Sequence, residues 1–449
     1  MKKYILLVLT LVWIVPKSQG QTILTLEKCL EIAFQGNLDL RQLQISLAND
    51  ALSLRQTKLD YLPSLSMSNS VTRSGGTTFD FNTFRRITQN TQSASHSINA
   101  SMDVFNGFQN YYTLKQAESN MQETQYGIEK SKNTLITNIT QAFFQIIYDQ
   151  ENLKVSKERQ DLIALQLERV KKQFDAGAKT EIDVLSLESQ LATENLNRIN
   201  QDNLLLRDKL TLLQLVNLDF SGEYIFQAPD IGSNVLENAI PNLDEVITLA
   251  MGTQPSIKEK EANLKGMQYG MKATRALLYP NLSLSGGVRT SYSSNGVPDF
   301  SQPSGLRKDP YTTQLKDNVS NQVSVNLNIP VFNNYRAATN VQKSQLQVKN
   351  AELDFQKQRN ALVREVQAAH LEAGAAAAKY EATKVQVQSL SESFNFAKSR
   401  YENGLLDFYA FREILNSKTN AETQLLNASF DYLLKIKVLD LYQGKALSF

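Results

Sequence analysis

YLPSLSMS at residues 61–68 and LYPNLSLS at 278–285 are two versions of one phrase: a proline followed by a run in which serine alternates with apolar residues. With Pro63 laid on Pro280 the surroundings stay in register without a gap. Leu26 falls on Leu243, Glu27 on Asp244, Leu40 on Ile257 and Leu65 on Leu282. The chain is therefore read as two copies of one unit, offset by 217 residues at this point.

Upstream of the phrase, residues 26–60 carry a helical pattern with a bend at Gln35-Gly36-Asn37, and Pro63 stops it. Downstream, Leu65, Met67 and Val71 alternate with Ser66, Ser68, Ser70 and Thr72. After a loop at 75–94, Ile98, Ala100, Met102 and Val104 alternate with Ser97, Asn99, Ser101 and Asp103. Period two predicts strands at about 64–74 and 95–105. In the second copy Leu282, Leu284 and Val288 face away from Ser283, Ser285 and Arg289. Val323, Val325, Leu327 and Ile329 face away from Ser324, Asn326 and Asn328. These strands are expected at about 281–292 and 321–331, around a loop at 293–318.

Serine and asparagine make poor core, and an apolar face about ten residues long suits a tilted strand in a bilayer. The pattern is apolar-out and polar-in. Tyr61, Phe105, Phe108, Tyr111, Tyr279, Phe332 and Tyr335 cluster where strands meet helices, as an interfacial girdle would. The competing reading is the wet edge of a soluble sandwich, but four isolated strands lack a second layer to cover them. Four strands also cannot close a barrel, and open edges cannot face lipid, so the chain must oligomerise. Two copies give eight strands and three give twelve; the pattern alone does not choose.

From Asn110 to Asp175 there is no proline, and Leu114, Ala117, Met121, Ile128, Leu135, Ile139, Ala142, Ile146 and Leu153 step by three, four or seven. That predicts a helix about 100 Å long, ended by Gly177 and followed by a returning helix at about 181–215. The second copy repeats the plan at an offset of 227, with Phe174 on Tyr401 and Gly177 on Gly404, giving helices at about 336–402 and 407–443. The organisation is a signal peptide at 1–20, a first repeat at 21–217, a joint at 218–243 that holds a short strand, and a second repeat at 244–449. Lys2 and Lys3, the apolar run Ile5–Val15 and small residues up to Gly20 carry the signal assignment. A periplasmic coiled-coil adaptor or structural rod is the alternative for the long helices, but it leaves the four strands unexplained.

Composition excludes other classes. Without residues 1–20 the chain keeps 44 of its 47 basic groups against 45 acidic ones, so nothing favours nucleic acid. Cys29 is the only cysteine, and His96 and His370 are the only histidines; neither histidine has a motif around it. No metal site, cofactor site or catalytic group is expected.

The duplicated Pro-Ser/Asn-Leu-Ser entry, the Asp-Val-Phe-Asn-Gly (103–107) and Pro-Val-Phe-Asn-Asn (330–334) exits, and the Phe-Asp-Ala-Gly (174–177) and Arg-Tyr-Glu-Asn-Gly (400–404) turns resemble TolC-type outer-membrane efflux proteins. The resemblance covers essentially the whole mature chain. It implies a mostly α fold with membrane β: a homotrimer whose 12-stranded barrel in outer-membrane lipid continues as a long periplasmic α-helical barrel. It further implies an exit duct that works with a periplasmic adaptor (membrane fusion protein) and an inner-membrane transporter. The adaptor would dock at the two turns, on Gly177, Ala178 and Lys179 and on Gly404, Leu405 and Leu406. Asp183 and Glu413 match acidic positions that narrow the family's pore, with Asp407 and Arg412 nearby. Ala410 stands where the second copy is expected to carry an acid.

Overall fold

The computed structural model describes residues 22–80, 84–220, 222, 224–228, 240–295, 297–298, 301 and 306–445. The expected signal peptide and residues 229–239 of the expected joint lie outside them. The first part of the chain runs β1 (Thr22–Leu24), α1 (Leu26–Gly36), α2 (Leu38–Leu59), β2 (Ser64–Asp80), β3 (Arg85–Phe105), α3 (Gln109–Asp175), α4 (Glu181–Leu215) and β4 (Tyr224–Phe226). It continues with α5 (Leu243–Thr253), α6 (Pro255–Ala276), β5 (Asn281–Ser293), β6 (Val297–Pro298), β7 (Leu306–Arg307), α7 (Tyr311–Asp317), β8 (Ser320–Asn328), α8 (Arg336–Glu402) and α9 (Phe408–Tyr442).

Two compact units form. One contains Ile128–Pro255, Arg359–Phe449 and the stretch up to Leu43; the other contains Gln44–Gly127 and Ser256–Gln358. Each takes elements from both sequence copies. The first unit has a core in which Leu24, Cys29, Ala33 and Leu40 meet Ile139, Phe143, Ile146, Leu212, Val216 and Phe226. Phe144 stacks on Phe430 with ring centres 5.0 Å apart, and each large side chain buried here contributes about 1.5–3 kcal/mol. β1 pairs in parallel with β4, a partner for the short strand that no alternation announced. The bend between α1 and α2 is a stop and restart: Asn37 leaves the helix at φ −68°, ψ 122°, and its Oδ1 accepts the Leu40 amide at 2.9 Å.

The second unit holds an antiparallel sheet of order β2-β3-β5-β8. The β2–β3 ladder runs from Ser64↔Ser101 to Asp80↔Arg85. The expected loop at 75–94 is therefore strand over 75–80 and 85–94. Alternation gave no sign of it, because Thr, Ser, Gly, Gln, Asn and Arg fill both faces beyond Val71, while β-branched threonines still favour extended backbone. β8 stops at Asn328 rather than 331, just before Pro330, which has no N–H to give a ladder.

The expected loop at 293–318 contains α7, held against the apolar side of β5. Thr290 Oγ1 donates to the Leu315 carbonyl at 2.6 Å. The buried Gln314 accepts the Ser293 amide and donates to the carbonyls of Ser293 and Asp309. Tyr311 packs edge-on against Tyr292. Seven residues without a stripe leave no periodicity to read.

Candidate functional site

Two places could serve function: the sheet and the turns at the ends of the long helices. Across the sheet, residues of one phase form continuous rows, such as Met67–Ile98–Val288 and Ala100–Gly286–Val323. This face is bare short of α7. Leu65 is 75% exposed, Val323 79% and Val325 65%, more contiguous apolar surface than water-soluble domains leave open. The uncovered rows, from Leu282 to Val288, run about 20 Å along the strand, and α7 covers the Thr290 and Tyr292 rows beyond them. Below the uncovered rows the girdle aromatics pair at the strand–helix junctions, Phe105 with Phe108 and Phe332 with Tyr335.

His96 lies within β3. One ring nitrogen meets Asn69 Oδ1 and the other the Tyr311 hydroxyl, each at 2.8 Å. His370 donates to the Pro241 carbonyl. Both histidines hold structure together.

The two helical turns share one backbone. Ala178 N–H bonds to Gln173 O and Gly177 N–H to Phe174 O; in the second turn Leu405 N–H bonds to Arg400 O and Gly404 N–H to Tyr401 O. Both glycines sit at φ +73°, the left-handed conformation this helix stop requires. The helices restart differently. Thr180 caps α4, and the Asp183 carboxylate accepts the Thr180 amide at 3.0 Å and its hydroxyl at 2.9 Å. Those two donors, the amide first, hold the Asp183 carboxyl below the usual carboxylate range. On α9 the cap is Asp407, whose Oδ1 accepts the amides of Tyr409 and Ala410 at 2.8 and 3.1 Å. Ala410, where an acid is expected, lies three residues after this cap, and the helix dipole favours the acid that Asp407 supplies.

Ala178, Lys179, Leu405 and Glu413 are exposed and Leu406 is half-buried. Arg412 lays its guanidinium over the Tyr409 ring, 5.8 Å from its centre. Among the described residues no ion pair within the chain joins it to an acid. Behind the first turn Leu167, Val170 and Leu187 pack together; behind the second, Tyr401 stacks on Phe411 at 4.7 Å. Arg169 Nη1 donates to the Tyr401 hydroxyl, and Arg159 meets Asn420, which ties α3 to α8 and α9.

The outer membrane efflux protein family model matches residues 29–218 and 246–443. The chain belongs to the outer membrane efflux protein family. Outer membrane protein TolC of Escherichia coli (strain K12) is 22% identical over 417 residues, which span 91% of this chain and 80% of TolC. Toxin and drug export protein A of Aggregatibacter actinomycetemcomitans is 21% identical over 91% of this chain and 83% of its own. Among solved structures, the CmeC outer membrane channel of Campylobacter jejuni superposes with a TM-score of 0.78 at 19% identity, covering 93% of this chain and 85% of CmeC. VceC of Vibrio cholerae gives 0.75 at 15% identity, covering 94% and 97%. This outer membrane efflux protein resides in the outer membrane with a periplasmic extension and is an exit duct for efflux or secretion. No described helix is long and apolar enough to cross a membrane.

Sequence reading missed one polar site in this efflux protein. Asp149 of α3 is 3% exposed. Gln145 donates to its Oδ1 at 3.1 Å, while Oδ2 has no donor. Burial, and then the Asp208 carboxyl of α4, push the Asp149 carboxyl up to about 6. Arg207 Nε, 2.7 Å away, holds Asp208 below its usual range. The two acids lie 59 residues apart in sequence, so no local motif marks them. Among the described residues, no group of three or more His, Cys, Asp or Glu side chains is placed to hold a metal ion.

Proposed function

We propose that three copies of this chain close a 12-stranded barrel and a periplasmic helical barrel, a passive conduit that performs no catalysis. The observation that carries this reading is the sheet itself: β2 and β8 are its outer strands, and its apolar face is bare short of α7. Unpaired strand edges are intolerable in lipid, and twelve strands leave room for a lumen, which eight do not. The repeats 21–217 and 244–449 then alternate around the ring, giving six similar helical hairpins from three chains.

The turns at Gly177-Ala178-Lys179 and Gly404-Leu405-Leu406 receive a periplasmic adaptor, which links the duct to an inner-membrane transporter that supplies the energy. Asp183, Asp407 and Glu413 form acidic rings near the axis, and Arg412, uncommitted within the chain, pairs with an acid of a neighbouring hairpin. The relative named for toxin and drug export supports cargo of that breadth.

The test is single-channel recording of detergent-extracted, unheated protein in a planar bilayer, with the mass of the same sample. Stable steps from particles of three-chain mass are expected; monomeric mass without steps overturns the reading. Neutralising Asp183, Asp407 and Glu413 together lowers cation preference, and an unchanged reversal potential removes them from the pore lining.

A further inference from the structure

The polar face of the sheet has a composition as telling as that of the apolar one. Where the four strands pair, its rows read Ser64–Ser101–Ser285–Ser324, Ser66–Asn99–Gly287–Gln322 and Ser68–Ser97–Arg289–Ser320. Toward the strand ends it continues with Ser70, Ser95 and Ser291, then Thr72, Ser93 and Ser293. Over the length of β5, two charges interrupt this neutral lining. Asp103 stands opposite Ser283, beside a cleft of about 520 Å³ that also includes Asp60, Ser64 and Ser101. Arg289 is the other, and it is exposed.

The phase of Arg289 is fixed by its neighbour. Val288 pairs with Ile98 on the apolar face, so Arg289 belongs to the opposite face. Its row partners are serines, which supply no countercharge. Asp103 faces Ser283, six residues along β5, or about 20 Å away, well beyond the roughly 8 Å over which charges act in physiological salt. Residue 72, which takes the place of Arg289 in the other copy, is threonine. Among the described residues, each chain therefore presents one guanidinium at this height with no acid in its row.

We propose that Arg289 is the specificity-determining residue of the barrel lumen, where three guanidinium groups form a ring that attracts carboxylate, phosphate or sulfate groups on passing cargo. This rests on the trimeric duct. Twelve strands give a barrel about 24 Å across at the backbone, whose small hydroxyl and amide side chains do not discriminate by charge. A ring of arginines in such a pore favours anions, the opposite sense to the acids at the helical turns.

Two measurements test it. In a potassium chloride gradient, Arg289→Ser is expected to raise the cation-to-anion permeability ratio about twofold and Arg289→Glu further, with three-chain mass retained. Labelling provides the second. Cys29 is buried and its thiol is pushed up to about 12, so it stays protonated and unreactive, and an introduced cysteine is the only target. An anionic, membrane-impermeant methanethiosulfonate should lower the conductance of Arg289→Cys pores in up to three steps and leave Val288→Cys pores unchanged. Pores that form normally but show an unaltered ratio in Arg289→Glu and no block in Arg289→Cys overturn the proposal while leaving the duct intact. Block in Val288→Cys instead would invert the faces. Wild-type protein that forms no pores overturns the duct reading, and Arg289's role with it.

Discussion

The hairpin of α3 and α4 and the hairpin of α8 and α9 match in length, 67 and 35 residues each, and in the hydrogen bonds of their turns. Yet they spend charge differently. At an offset of 227, Gln145, Asp149 and Asp208 of the first correspond to Glu372, Ala376 and Lys435 of the second. In the second hairpin Lys435 meets Glu372 at 2.8 Å, and Ala376 fills the buried place. In the first, two acids meet and the buried one has an oxygen without a donor. The same backbone tolerates both because glycine stops and polar caps fix the ends, leaving the middle free to vary. It follows that one hairpin carries an electrostatic cost that its counterpart does not.

The comparison is sharpest in the core behind the turns. Leu187 is 1% exposed, whereas Ile414 at the matching place is half-buried. Leu187→Ala should cost about 3 kcal/mol and Ile414→Ala clearly less, as read by amide exchange of each turn; equal losses would mean the two tips pack alike.

Next in size is Asp149. Its carboxyl holds a proton more tightly folded than unfolded, with about 6 against an ordinary 3.8. Stability should therefore fall as pH rises from about 4 to about 6, and the full cost is present above that. Asp149→Asn, whose amide can donate to Asp208, should gain on the order of 2 kcal/mol at pH 7.5 and flatten that dependence. Melting of the detergent-solubilised protein at pH 5 and 7.5 checks it; a variant that keeps the slope would place the proton elsewhere.

Smaller effects test the likeness of the turns. Gly177 and Gly404 share φ +73°, and an added Cβ meets open space at each. Valine at either should cost about 1–2 kcal/mol from backbone strain alone, equally at the two sites. The smallest difference lies in capping: Asp407→Ala should cost about 1 kcal/mol and Asp183→Ala about half that, because Thr180 still caps α4 in its absence. Exchange rates at Tyr409 and Asp183 amides report the two.

Long helices and their ends were legible because glycine, proline and capping residues mark them locally, and the strands because serine alternates with apolar side chains over the bilayer's height. Where alternation lapses, as at Thr77, Thr78 and Thr88, the strand continued unseen. Asp183 and Asp407 are singled out through the resemblance, as acids near a narrowed pore. That Asp407 is the cap needed the hydrogen bonds to Tyr409 and Ala410. The Asp149–Asp208 contact needed the packed helices, since nothing in either stretch refers to the other.

The seam between β3 and β5 sets the order in which the chain can be made. Four residues separate β2 from β3 and five separate α3 from α4. By contrast, Ser101 pairs with Ser285, across everything between β3 and β5. Contacts so distant along the chain form late, after the local hairpins. The sheet's greasy face is thus completed last, and until then two separate hairpins with open edges travel unjoined. That interval is when the nascent protein most needs a chaperone to keep its strands from pairing with the wrong neighbour.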